Sequence, residues 1–146
     1  MAQFPRLEDF VGAWHLSRVI QDHLTDTKGT LTGEARFAER EPGVLDYIES
    51  KSLSLGAQPP LEATRRYIWE QDEGRIFVRF EDGRDFHEIR GDRLLPDAEH
   101  FCDPDLYHVS YDFTRWSAKR PKWRAMWRVK GPRKDYRMIS DYTRSA

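Results

Sequence analysis

Cysteine is nearly missing from this chain. Cys102 is the one cysteine in 146 residues, so no internal disulfide can form. Long apolar runs are missing as well: no stretch of about 18 such residues occurs, which argues against a membrane-spanning helix. Leu and Ala are too sparse for a helical bundle. With no cysteine pair and no His-Glu-x-x-His run, no structural zinc site is expected, and no metal ligand is assigned. The start, Met1-Ala2-Gln3-Phe4-Pro5-Arg6, lacks a basic stretch followed by an apolar one, so no secretory signal is expected. Together with the single cysteine this makes a cytoplasmic location the expectation.

Aromatic residues are plentiful: 8 Phe, 5 Trp and 6 Tyr stand in a chain that is 34% charged and only 38% hydrophobic. Disordered chains are poor in aromatics, so a folded core is expected. The length suits one domain, residues 1–146.

Short aromatic runs alternate with polar residues and are separated by turn residues, the period-two pattern of strands. Residues 5–11 read as a short helix, with Pro5 in its first turn. Strands are predicted over about 13–21, 29–38, 44–53, 63–70, 75–80, 84–89, 106–114, 123–130 and 135–144. Asp82-Gly83 is the strongest hairpin signal. The stretch 91–105, with Pro96 and Pro104, reads as irregular. Nine strands with hairpin-length turns and almost no helix predict an all-β, single up-and-down antiparallel barrel with a short N-terminal helix. Closure would place the first strand beside the last, so that Arg144 can stack on Trp14.

Gly12-Ala13-Trp14 after a short helix resembles the GxW signature of calycins, the lipocalin-like barrels, and Arg144 resembles the arginine that packs across that tryptophan. The whole chain is also similar to an uncharacterised bacterial and fungal family of unknown function. The likeness is carried by the stretches 14–20, 82–87 and 131–136, by His100, Cys102, Asp105 and Tyr107, and by Tyr142-Thr143-Arg144. This resemblance implies a calycin-like barrel and no established activity. There is no room between Gln21 and Gly29 for the helix pair of fatty-acid-binding proteins.

If the Trp14 face points inward, the interior carries Arg18, Glu49, Arg65, Tyr67, Trp69, His87, Tyr107, Tyr111, Trp127, Tyr136 and Ser140. That lining is too polar for a fatty acid and suits a small polar or aromatic molecule. Arg18 and Glu49 can equally neutralise each other. Arg18, Glu49, Arg65, Tyr67, His87, Tyr107, Tyr111, Trp127 and Tyr136 are therefore the candidate ligand-binding residues. Candidate catalytic groups are His87, a proton carrier near neutrality, and His100, Cys102 and Asp105, where a base could activate a thiol.

The charges are unevenly spread. Residues 1–114 hold 13 Lys/Arg against 23 Asp/Glu, and residues 115–146 hold 11 against 2. A basic tail can meet nucleic acid, but basic strands beside acidic ones in a closed sheet are the expectation, with neither nucleic acid nor membrane as partner. Three functions stay open at this point: a small-molecule binding protein; a small enzyme (lyase, isomerase or hydrolase) with Arg and Tyr donors and a His acid/base; and a haem or metal binder. Ligand identity, cofactor and oligomeric state are not legible.

Overall fold

A computed structural model describes residues 5–54, 61–116 and 119–145, with side chains left aside at 51–54 and 61–63. The predicted turn at Gly56 and Pro59-Pro60 lies outside the described residues. A 3-10 turn over Leu7–Phe10 leads into ten strands: β1 Gly12–Asp22, β2 Thr27–Glu41, β3 Val44–Ser54, β4 Leu61–Asp72, β5 Arg75–Phe80, β6 Asp85–Arg90, β7 Asp97–Cys102, β8 Asp105–Asp112, β9 Lys122–Lys130 and β10 Asp135–Arg144. Among the described residues no helix is long and apolar enough to cross a membrane.

The strands form one antiparallel sheet in the order β6-β5-β4-β3-β2-β1-β10-β9-β8-β7. Chain order is kept throughout, and the first and last strands pair, with Trp14 opposite Arg144. The sheet curls until its edges, β6 and β7, touch without forming a ladder. Side chains span this seam: Phe86 on β6 stands 5.5 Å from His100 on β7. The result is an almost closed barrel, as the strand pattern predicted, with edges hidden against each other.

Two details differ from the sequence reading. The helix is a single 3-10 turn, because Gly12 (φ +118°) already belongs to the first strand. A tenth strand, β7, lies in the stretch read as irregular. It is six residues long and polar, and its neighbouring prolines, Pro96 and Pro104, sit outside it. Short polar edge strands leave little periodic signal.

The barrel has a plugged base and an open mouth. Phe10 enters the base from the 3-10 turn and is fully buried, with ring centroids 4.9–6.4 Å from Trp14, Phe37, Trp69, Phe113, Trp116 and Trp123. Trp14 Nε1 donates to the Phe10 carbonyl at 2.9 Å. Arg144 lies 4.0 Å over the Trp14 ring and donates to the carbonyls of Val11 and Asp9, which latches the turn in place. A Cβ at Gly12 would stand 3.0 Å from Arg144 Nη1, so this close approach, like the positive φ, calls for glycine. The aromatic bulk predicted for one face therefore fills the base, and the polar members of the same face lie above it.

Candidate functional site

Three polar layers line the interior beside the aromatic base. The first is a buried network. Arg18 on β1 forks onto Glu49 on β3, with Nη1 and Nη2 at 2.9 and 2.7 Å from the two carboxylate oxygens. Its Nε donates to Ser140 Oγ at 2.6 Å. The Tyr47 hydroxyl donates to Glu49 at 2.5 Å, and the Tyr47 and Tyr142 hydroxyls are 2.8 Å apart. Burial works against the Arg18 charge, but Tyr142 and Glu49 more than offset it and hold the guanidinium firmly protonated. Burial also pushes both tyrosines above their ordinary value. The two charges neutralise each other. Tyr47 and Tyr142 were not among the candidate site residues, although they share the phase of Glu49 and Ser140; that parity was the available signal.

The second layer is a pair, His87 on β6 and Tyr111 on β8. His87 Nε2 stands 2.7 Å from the Tyr111 hydroxyl, and the rings stack 5.7 Å apart. Nδ1 of His87 is buried and has no partner. Desolvation drives the imidazole down to about 3, with His100 adding to the fall, and burial raises Tyr111 well above 10.0. Both groups are therefore neutral at pH 7. The backbone here is bulged: Val78 pairs with His87 and Arg79 with Asp85, which leaves Phe86 as the extra residue. The bulge turns the consecutive Phe86 and His87 both inward. Strict alternation would send Phe86 outward, so sequence phasing missed it.

The third layer is the mouth. Tyr67, Phe86 and Trp127 form an aromatic wall, with ring centroids 5.2–6.4 Å apart. Arg65 lies over the Trp127 ring at 5.5 Å and donates to the Tyr67 hydroxyl at 3.5 Å. Tyr107 and Tyr136 stand half-buried at the rim, as does His100. Lys134 pairs with Asp105 at 3.3 Å and donates to the Tyr107 hydroxyl at 3.5 Å. A cavity of about 30 Å³ joins the layers; Arg18, Glu49, Arg65, Tyr67, His87, Tyr111 and Trp127 line it. It has space for about one water molecule. Arg65 and Tyr67 also border a shallow groove of about 570 Å³ that opens toward Phe80 and Asp82. The mouth is thus wide outside and nearly filled inside.

The structure brings together most of the residues singled out from sequence but not all. Cys102 is exposed at the end of β7 and paired in register with Asp105 across a tight hairpin. No interaction joins it to His100. Cys102 and Asp105 therefore stand apart from the His87–Tyr111 pair. Among the described residues no cluster of three or more His, Cys, Asp or Glu side chains could hold a metal ion. On the outer wall, basic strands β9 and β10 meet their own acids: Arg124 forks onto Asp141 and Arg128 pairs with Asp135. A 380 Å³ groove beside Arg115 and Lys122 includes that Arg124–Asp141 pair.

The burial of His87 makes stability pH-dependent. Its folded value is depressed, so below pH about 6.5 the unfolded chain takes up a proton that the folded chain refuses. Stability is expected to fall as pH drops from about 6.5 toward 3, at up to about 1.4 kcal/mol per unit. Urea unfolding at pH 7.0, 6.0 and 5.0 should show this loss, and His87→Gln, which cannot titrate, should flatten it. An equal slope in the variant would assign the loss to other groups.

Comparison with known proteins places this geometry in context. The S-type phycobiliprotein lyase CPES from Guillardia theta superposes with a TM-score of 0.62 at 11% identity, covering 95% of this chain and 90% of that one. EF1p2_mFAP2b, in a structure bound to DFHBI, gives a TM-score of 0.50 at 11% identity, over 99% of this chain and 100% of that one. At such identity the likeness concerns the fold: a calycin-like barrel with an aromatic-lined interior. No curated protein matches the chain. Residues 10–144 match the family of unknown function DUF6314, and the chain belongs to that family.

Proposed function

We propose that the protein is a small calycin-fold enzyme, acting in the manner of a lyase on a polar aromatic molecule held at the mouth of its barrel. The observation that carries this reading is the His87–Tyr111 pair. In contrast to the Arg18–Glu49 network, it keeps a nitrogen, Nδ1, that has no partner among the described residues, beside the aromatic wall that would hold a planar ligand. Tyr111 and His87 can hold an oxygen of the ligand and pass a proton at Nδ1 or at the hydroxyl. An imidazole this desolvated is a weak base by itself. An anionic group of the ligand nearby would raise it again by Coulomb attraction. The likeness to a lyase and to a barrel bound to DFHBI supports a small molecule as ligand. The small internal volume means that binding has to open the mouth, by movement of Tyr67, Phe86 or Trp127. A cytoplasmic setting, expected from the lone cysteine, is part of the proposal.

A second reading, a binding protein without chemistry, is favoured by one observation: burial keeps His87 neutral, as suits a fixed hydrogen-bonding wall. One experiment separates the two. The native protein is incubated with an extract of cellular small molecules, and both the retained and the depleted compounds are followed by mass spectrometry. The enzyme reading expects an aromatic compound to be consumed, with consumption lost in His87→Gln and Tyr111→Phe while both variants stay folded. Retention without consumption supports the binding reading, and neither retention nor consumption contradicts both.

A further inference from the structure

Among the described residues that line the cavity, the charges do not balance. Arg18 and Glu49 cancel, fork to fork, at 2.7–2.9 Å. Lys134 at the rim is answered by Asp105 at 3.3 Å. Arg65 is different. It sits half-buried on β4 opposite Glu49 in register, but both Glu49 oxygens already accept from Arg18. Among the described residues no carboxylate pairs with it. Its contacts are the Trp127 face at 5.5 Å and the Tyr67 hydroxyl at 3.5 Å, a long bond to a neutral group. Most arginines on the outer wall carry a carboxylate partner, as Arg40, Arg79 and Arg124 do. Arg144, also half-buried without an acid, donates to two backbone carbonyls instead; Arg65 has no such acceptor among the described residues, and that wants an explanation.

We infer that the ligand of the barrel mouth carries a carboxylate, and that Arg65 receives it. This rests on the small-molecule reading above and narrows it to aromatic monoanions. Three features of the mouth support it. A guanidinium presents two parallel donors that match a carboxylate, and the Trp127 ring 5.5 Å away gives it a cation–π contact at the mouth. Arg65 and Tyr67 border both the inner cavity and the outer groove, so a group held there reaches inward toward His87 and Tyr111 and outward to solvent. In the outer groove Arg66 shares the lining with Glu81 and Asp82, and among the described residues that line the inner cavity Arg65 is the one charge without a counter-charge. A carboxylate neutralises it, whereas a phosphate dianion would leave an excess negative charge beside the Tyr67, Phe86 and Trp127 rings. The ring of such a ligand would lie on that aromatic wall.

The test uses two compounds of one shape, 4-hydroxyphenylacetate and its uncharged amide. Both are titrated into the protein, and binding is followed by shifts of the Trp127 indole and Tyr67 ring signals in NMR. In the wild type the carboxylate is expected to bind at least about tenfold more tightly than the amide. Arg65→Gln should bring the carboxylate to the same affinity as the amide, and Arg65→Lys should keep part of the preference. Unfolding temperatures of the variants establish that they are folded. Equal affinity for the two compounds in the wild type, or a preference that survives Arg65→Gln, overturns the assignment of Arg65 and leaves the pocket itself standing. If neither compound shifts these signals at millimolar concentration, the inference and the mouth as a ligand site both fall.

Discussion

Glu49→Leu is expected to destabilise the protein by about 3–5 kcal/mol, one of the two largest losses from a single substitution in this barrel. The reason is what remains behind. Arg18 is 2% exposed, and without the carboxylate its charge stays in the interior with Ser140 Oγ as a hydrogen-bond partner. The Tyr47 hydroxyl also loses its short bond. The double substitution Arg18→Met with Glu49→Leu removes both charges together. It is expected to recover most of the loss, because an ion pair withdrawn from water is often no better than well-packed apolar groups of the same volume. The Tyr47 and Tyr142 hydroxyls can still bond to each other at 2.8 Å. Urea midpoints of the four proteins in this cycle check the claim. Two single losses that simply add in the double variant would mean that the groups act separately.

The second large effect concerns the plug. Phe10→Ala should cost about 3–5 kcal/mol, the range for a buried aromatic that leaves a cavity. Six rings surround this side chain, drawn from β1, β2, β4, β9 and the segment around Phe113 and Trp116. They belong to a sheet already held by backbone ladders, so the hole cannot close cheaply. The neighbouring Val11 is 41% exposed, and Val11→Ala should stay within about 0.5 kcal/mol. Thermal unfolding of both variants separates a plug from a loosely attached terminus. Comparable small losses in the two would contradict the plug.

Period-two phasing carried far in this chain because a barrel has one inside and one outside. Trp14, Leu16 and Arg18 fall inward in turn, and so do Leu45, Tyr47 and Glu49. The contact of Arg144 with Trp14 was legible for the same reason: a closed meander must join its ends. Phasing failed where the ladder itself departs from regularity. The bulge at Phe86 depends on how β5 and β6 pair, which no single run of residues reports. The strand β7 was hidden because its partner on one side is a seam without hydrogen bonds. For the candidate site, residue types and faces were readable. The layering was not: the same phase holds a self-satisfied ion pair at Arg18 and Glu49, an open pair at His87 and Tyr111, and an unmatched cation at Arg65. Distances and partners separate these three, and a pattern of inward positions does not.

The central claim is that the barrel holds a neutral, partly unpartnered His87 beside a mouth that admits a small polar aromatic molecule. The most direct measurement is the nitrogen NMR spectrum of the His87 imidazole between pH 7.5 and 5, with and without 4-hydroxyphenylacetate. The account predicts one neutral form across that range in the free protein and a displaced Nδ1 signal when the compound is present. A His87 that becomes cationic above pH 5, or an Nδ1 signal that ignores the compound at millimolar concentration, would contradict it.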